Sequence, residues 1–309
     1  MSHLVRPPRL RAGSTIGIAA VSGPVDEARL RRGIAAIERR GYRVRLASNA
    51  LARRGFLAGS DEERARGYVE LLGDPEIEAV FFARGGYGAS RILGRLFPED
   101  IAARPIIHMG GSDLTAFSAY LRSRVGLVSF YGPMPAVEMA GGESGALDWE
   151  EVLTGGLPPS HEFGASDVLA AGIGEGHLVG GCLSLLASLA GTPEAVDARE
   201  GVLFWEDVGE ETYRLDRMLT QLERSGTLEG LHAMLIGSIS SGARGGGESP
   251  EAVARWLEDR FRDAPFPVVR GFPAGHLARP RTLPLGTRVR LVASPGGNAR
   301  LEFLEPGVA

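Results

Sequence analysis

The chain has no lysine: all 34 of its basic residues are arginine, against 38 acidic ones. That absence excludes a lysine nucleophile, a Schiff base and the lysine of a phosphate-binding P-loop. A single cysteine, Cys182, excludes an internal disulfide framework and a multi-cysteine zinc site. No apolar run is long enough to span a bilayer, and a mean hydropathy of −0.01 is that of a globular chain, so no membrane association is expected. The net charge of −4 is spread without runs of one sign, which leaves no footprint for nucleic acid. Residues 1–11 carry arginines and prolines but no apolar core or small-residue cleavage site, so a cytoplasmic location is expected. His108, His161, His177 and His232 stand at no metal-binding spacing, and no metal site is expected from them.

What is present is an alternation of strands and helices. Residues 15–21 form an apolar run ending at Ser22-Gly23-Pro24, and residues 26–40 place Leu30, Ile34 and Ile37 on one helical face. Residues 42–47 alternate as a second strand. Ser60-Asp61-Glu62-Glu63 matches a capping box ahead of a helix carrying Tyr68, Leu71 and Leu72. Strands over 78–83, 106–109 and 127–130, with a helix after Ser112, complete a largely parallel, helix-covered sheet, on which ligands bind at the carboxyl ends of strands. A stretch rich in Gly, Pro, Ser and Ala follows. It divides an N-terminal α/β domain (1–155) from a smaller, β-rich mixed α/β domain (167–309) through a linker at 156–166. In the second domain 178–189 is apolar and partly helical, 202–205, 234–239 and 268–272 read as strands, and 213–222 and 251–261 as helices. Residues 287–293 and 300–304 read as a hairpin, and 240–247 as a flexible loop.

Three places carry candidate chemistry. At Ile106-Ile107-His108-Met109-Gly110-Gly111-Ser112-Asp113-Leu114-Thr115 the period changes from strand to helix at one serine. Ser112 is either a nucleophile raised on a tight strand-to-helix turn or the N-cap of the following helix. The surrounding Gly-Gly-Ser-Asp-Leu lacks the last glycine of a Gly-x-Ser-x-Gly elbow, which argues against an α/β-hydrolase. Arg84-Gly85-Gly86-Tyr87-Gly88-Ala89-Ser90-Arg91 follows a strand, yet Arg91 stands where a dinucleotide fingerprint needs glycine. Those glycines either form only a turn or present the N–H of Gly86, with that of Asp113, to an oxyanion. In Val202-Leu203-Phe204-Trp205-Glu206-Asp207-Val208-Gly209-Glu210, Glu206 follows the buried strand most directly and so needs a partner such as an imidazole. His276, in a glycine- and proline-shaped loop beyond another strand, offers one.

Taken together in chain order, these segments resemble one family. The resemblance rests on Arg84-Gly85-Gly86-Tyr87-Gly88, Gly111-Ser112-Asp113-Leu114-Thr115, Tyr131-Gly132-Pro133-Met134, Gly180-Gly181-Cys182-Leu183-Ser184-Leu185-Leu186, Gly191-Thr192-Pro193, Glu206-Asp207-Val208-Gly209-Glu210 and Tyr213-Arg214-Leu215-Asp216-Arg217-Met218-Leu219. It is a resemblance to the LD-carboxypeptidases, or muramoyltetrapeptide carboxypeptidases, which include the microcin-C self-immunity peptidases. It implies a cytoplasmic, often dimeric serine peptidase that needs no cofactor and releases a terminal D-amino acid from an L,D bond in recycled murein peptides. Carried over, Ser112 is the nucleophile, His276 the general base and Glu206 its orienting partner, in a site that straddles the two domains. Gly86 and Asp113 supply the oxyanion N–H groups, and Arg84, Gly85 and Tyr87 contact substrate. Gly111, where the family usually has Tyr or His, and Cys182, where it usually has Asn, depart from the pattern beside the triad. They leave open an immunity-type peptidase acting on aminoacyl-adenylate-like peptides, and a catalytically silent binding protein on the same scaffold.

Overall fold

The computed structural model describes residues 4–144, 148–240 and 248–309; the loop expected at 240–247 lies, beyond Ser240, outside the described residues. The first of its two sheets joins β1 (Thr15–Ala19), β2 (Arg43–Leu46), β3 (Ile77–Phe82), β4 (Ile107–Gly110) and β5 (Ser129–Tyr131) in parallel, in the spatial order β2-β1-β3-β4-β5. The second contains β6 (His161–Phe163), β7 (Val168–Ala170), β8 (Gly172–Cys182), β9 (Gly201–Val208), β10 (Ala233–Ser240) and β11 (Val268–Val269). After β12 (Leu283–Leu285), it is completed by β13 (Arg288–Ala293) and β14 (Ala299–Phe303). Strands β8 to β11 run parallel; along one edge β13, β14 and β6 follow, each antiparallel to its neighbour, and β7 pairs antiparallel with β11 on the other. The fold is therefore α/β with two sheets, and among the described residues no helix is long and apolar enough to cross a membrane.

Local chemistry explains the elements. All five residues of β1 are buried, as a central parallel strand covered on both faces requires. The helix Glu27–Glu38 starts at Asp26, whose carboxylate accepts the Arg29 N–H at 2.8 Å. Ser60 and Glu63 form the expected capping box, each side chain accepting the other's backbone N–H at 3.2 and 2.7 Å. One apolar cluster runs from Tyr68 and Phe117 beside the first sheet to Trp205 and Leu219 beside the second, so the two sheets share a core.

Three features depart from the sequence-based expectation. Leu283–Leu285 returns to the first sheet and pairs antiparallel with β5. His161–Phe163, within the expected linker, is a strand on β14. The strand expected over 268–272 stops at Val269: beyond it the ladder to β10 slips out of register, the Phe272 N–H donating to the Ile236 carbonyl at 3.1 Å, while the Arg270 N–H donates to the Asp167 carbonyl at 2.9 Å.

The strand order decides where a ligand can enter. From β1 the chain moves outward to β2 and then returns to β3 on the opposite side, which opens a crevice at the carboxyl ends of β1 and β3. The segments leaving β1, β3 and β4 meet there. The Gly23 N–H donates to the Gly85 carbonyl at 3.2 Å, and the Ser22 hydroxyl to the Asp113 carboxylate at 2.6 Å.

Candidate active site

Ser112 opens the 3-10 turn Ser112–Leu114 directly after β4 with φ of 58°, a left-handed conformation that a non-glycine residue seldom adopts. It caps no helix: Gly111 precedes the turn, and neither that turn nor the helix Thr115–Tyr120 has a side-chain cap. The conformation instead lifts the hydroxyl into a narrow cavity lined by Ser112, Gly132, Glu138, Gly275, His276 and Pro280, with Gly111, Tyr131 and Met134 alongside. Gly85 lies against the other flank. A Cβ there would sit 2.8 Å from Ser112 Cβ and 3.0 Å from its Oγ, so only glycine lets the β3 loop come this close.

Glu206 and His276 come from the second sheet and the loop beyond it. Glu206 lies within the buried run of β9, which continues through Asp207, and is itself fully buried. Its Oε2 accepts from His276 Nδ1 at 2.7 Å and from the His276 backbone N–H at 3.2 Å. A carboxylate only accepts, so Nδ1 carries the proton and Nε2 is the free nitrogen. Two bonds staple the histidine loop to β10: the Phe272 N–H to Ile236 O, and the Ser238 N–H to Ala274 O at 2.9 Å. Gly275, at φ of 106°, lets the loop close over the carboxylate, since a Cβ there would lie 2.5 Å from Glu206 Oε2. Burial lowers the affinity of His276 for a proton, but the hydrogen bond and charge of Glu206, aided by Glu138 and Asp207, outweigh it and raise its pKa above the ordinary value.

Ser112 and His276 thus face one cavity, although no hydrogen bond joins their side chains in this structure. In hydrolases free of substrate that bond is commonly long and tightens when substrate binds. Among the described residues no hydrogen bond is made by the N–H of Gly86 or of Asp113, and the latter lies 3.4 Å from the Cβ position of Gly85. The Asp113 side chain is fully buried, and its Oδ2 accepts from the Ser22 hydroxyl and, at 2.8 Å, from the Ala89 N–H. Arg84 and Tyr87 do not line the cavity. The Arg84 guanidinium donates to the Pro24 carbonyl at 3.1 Å, and Tyr87 packs on Phe56 with ring centroids 5.8 Å apart.

The neighbouring groups are accounted for structurally. Asp207 Oδ2 accepts the Ser184 N–H at 2.7 Å, at the start of the helix Leu183–Leu189. Glu210 pairs with Arg214 at 3.5 Å, one turn on. His108 is fully enclosed, bonded to the Ile106 carbonyl through Nδ1 and to the Tyr68 hydroxyl through Nε2, each at 2.9 Å; burial drives its pKa down to about 4. Burial, with the charges of Glu206 and Asp207, pushes the Cys182 thiol well up, as expected of an inert core thiol. A Cβ on Gly111 would rest 3.4 Å from the Tyr131 ring, so the bare backbone leaves that flank of the cavity open.

Sequence reasoning missed three participants. Tyr131 was visible inside a motif but had no role; its hydroxyl donates to Glu206 Oε1 at 2.7 Å. Glu138 lines the cavity, accepts the Met134 N–H at 2.8 Å and is raised in pKa by burial. Arg64 is fully buried, donating to the carbonyls of Val21 and Gly88 and pairing with Asp61 Oδ1 at 2.5 Å. The signal for Tyr131 was a polar tip at the carboxyl end of a buried strand; for Glu138 and Arg64 no sequence signal separated them from surface charges.

Known proteins share this arrangement of sheets and segments. The sequence profile of the LD-carboxypeptidase N-terminal domain matches residues 16–132, and that of the LD-carboxypeptidase C-terminal domain matches residues 175–291. A putative carboxypeptidase of Streptomyces coelicolor is 38% identical over 96% of this chain and 96% of its own length. A probable murein peptide carboxypeptidase of Bacillus subtilis is 33% identical over 93% of this chain and 91% of its own. The crystal structure of muramoyltetrapeptide carboxypeptidase from Oxalobacter formigenes superimposes with a TM-score of 0.82 at 34% identity, covering 94% of this chain and 98% of that one. With both domain profiles matched in order and relatives above 30% identity along nearly its whole length, the chain belongs to the LD-carboxypeptidase family.

Proposed function

We propose that this chain is a serine-type LD-carboxypeptidase that hydrolyses the L,D bond before the terminal D-amino acid, D-alanine, of cytoplasmic murein tetrapeptides during peptidoglycan recycling, and that it acts as a homodimer. The observation that carries the reading is the pair of buried Glu206 and half-buried His276 at 2.7 Å, facing a serine held at φ of 58° across one cavity. No structural need of the β4 turn calls for a non-glycine residue in that backbone conformation.

In the proposed reaction His276 Nε2 takes the Ser112 proton as Oγ attacks the scissile carbonyl, and Glu206 stabilises the imidazolium. The N–H groups of Asp113 and Gly86 receive the oxyanion. Collapse of the tetrahedral intermediate breaks the C–N bond, and the imidazolium gives its proton to the departing amine of the D-amino acid. Water then attacks the acyl-enzyme, its proton passes to His276, and the shortened peptide leaves with Ser112 reprotonated.

The test is to incubate the protein with a UDP- or anhydro-muramoyl tetrapeptide and, separately, with an aminoacyl-adenylate-like peptide, and to identify products by mass spectrometry. Release of D-alanine from the tetrapeptide is expected. A nucleotide product without D-alanine would transfer the assignment to an immunity-type peptidase, and release from neither substrate would contradict both.

A further inference from the structure

Glu206 is fully buried, and its two oxygens are shared between two partners. Oε2 receives both donors of His276, and Oε1 receives the Tyr131 hydroxyl at 2.7 Å. The same phenol oxygen lies 2.8 Å from the Ser112 backbone nitrogen. A phenol has one proton, and the carboxylate can only accept. Tyr131 therefore donates to Glu206 and accepts from the Ser112 N–H, so the direction of each bond is fixed. A continuous chain of hydrogen bonds runs from the Ser112 backbone through Tyr131 to Glu206 and on to His276. It passes from β5 in the first sheet to β9 in the second. The Tyr131 ring has little freedom: it is 3% exposed and packs edge-on against Phe204 with centroids 5.5 Å apart. Burial, with the charge of Glu206, holds the phenol well above its ordinary pKa, so it stays a donor at any working pH.

We propose that Tyr131 is a positioning residue of this centre, its one hydroxyl holding both the backbone of the nucleophile and the carboxylate that orients the base; the inference rests on the peptidase reading above. Two consequences follow from the geometry. The Ser112 N–H is occupied and takes no part in the oxyanion site, which leaves that role to Asp113 and Gly86. The hydroxyl also disperses part of the Glu206 charge, so Tyr131 governs how strongly Glu206 favours the imidazolium. The ionisable groups facing Tyr131 are Glu206 and Cys182; those facing His276 are Glu206, Glu138 and Asp207.

The experiment compares wild type with Tyr131→Phe in steady-state release of D-alanine and in an NMR titration of the His276 ring, which needs no turnover. The variant should lose roughly 10- to 100-fold in kcat with KM nearly constant, since alignment and not ground-state binding is lost. Its His276 should titrate at higher pH than in wild type, because Glu206 without its donor holds the imidazolium more strongly. Replacing Tyr131 with 3-fluorotyrosine, a stronger donor of nearly the same shape, should move the His276 titration the other way, and it serves equally should Tyr131→Phe fail to fold. An unchanged His276 titration in both variants, or a loss of activity that only follows lowered thermal stability, would overturn the positioning role. Absence of D-alanine release by wild type would overturn the peptidase reading alone, because the titration still reports on Tyr131.

Discussion

At the scale of single residues, the backbone of Ser112 carries a cost that its side chain must justify. A left-handed non-glycine residue costs on the order of 1 kcal/mol relative to glycine. Ser112→Gly should therefore fold, melt at a higher temperature and release no D-alanine, and a lowered melting temperature would show that φ of 58° stores no strain. The acidic segment after β9 gives a second residue-scale prediction. Glu206→Gln should cut kcat by roughly 10²- to 10⁴-fold with a smaller effect on KM, as loss of the group that orients a catalytic histidine does. Glu210→Gln should leave kcat unchanged and cost about 0.5 kcal/mol, the worth of its half-buried i,i+4 pair with Arg214. Kinetics and melts on the two variants side by side decide it. Loss of activity in Glu210→Gln with activity kept in Glu206→Gln would reassign the orienting residue.

At the scale of elements, the glycine loop after β3 is held in place by a helix behind it. Arg64, on the helix Asp61–Gly73, donates to carbonyls at the end of β1 and in the glycine loop, at Val21 and Gly88, and a Cβ on Gly88 would lie 2.7 Å from its Nη1. Arg64→Met should destabilise the fold by about 3–5 kcal/mol by leaving those carbonyls and Asp61 without their buried donor. It should also reduce kcat through the displaced loop; urea unfolding and kinetics measure the two effects, and a loss below about 1 kcal/mol would refute the anchoring role. Nothing in the sequence announced this, because an arginine on an amphipathic helix reads as solvent-facing. The helices and longer strands were legible because each buries one face at a regular period, and because Ser60 and Glu63 mark a helix start. β6 and β12 were not legible: three residues contain no period, and each is a strand only because a partner distant in sequence, β14 or β5, offers its edge. Ser112, Glu206 and His276 could be singled out as candidates because each follows an apolar strand or a glycine-shaped turn, while their roles came only from the resemblance to a family. Tyr131 could not be given a role, since its meaning lies in two hydrogen bonds that only the packing of the two sheets creates.

At the scale of the whole molecule, two histidines pull stability in opposite directions with pH. His108 has a folded pKa of about 4, below the roughly 6.5 of an unfolded chain, so the unfolded state binds the extra proton between those values. Its contribution is present above pH 6.5 and is lost as pH falls toward 4, by roughly 3 kcal/mol in all. His276 has a raised folded pKa, so its contribution is full below the unfolded value and is lost as pH rises through the folded one. Melts should therefore show stability falling on acidification from pH 6.5 to 4. His108→Leu should be less stable near neutrality, with Tyr68 and Ile106 left unpaired, but flatter across that window; an unchanged slope would mean that His108 is not held neutral. The shared core and the Tyr131–Glu206 bond make the two sheets one catalytic unit in this account, with the nucleophile on one and its base and orienting carboxylate on the other. The most direct test of that claim is the rate of D-alanine release from a muramoyl tetrapeptide by wild type and by Ser112→Ala, measured together on folded protein. A loss of on the order of 10⁴-fold or more with binding retained is expected, and turnover at the wild-type rate in Ser112→Ala would contradict the serine mechanism.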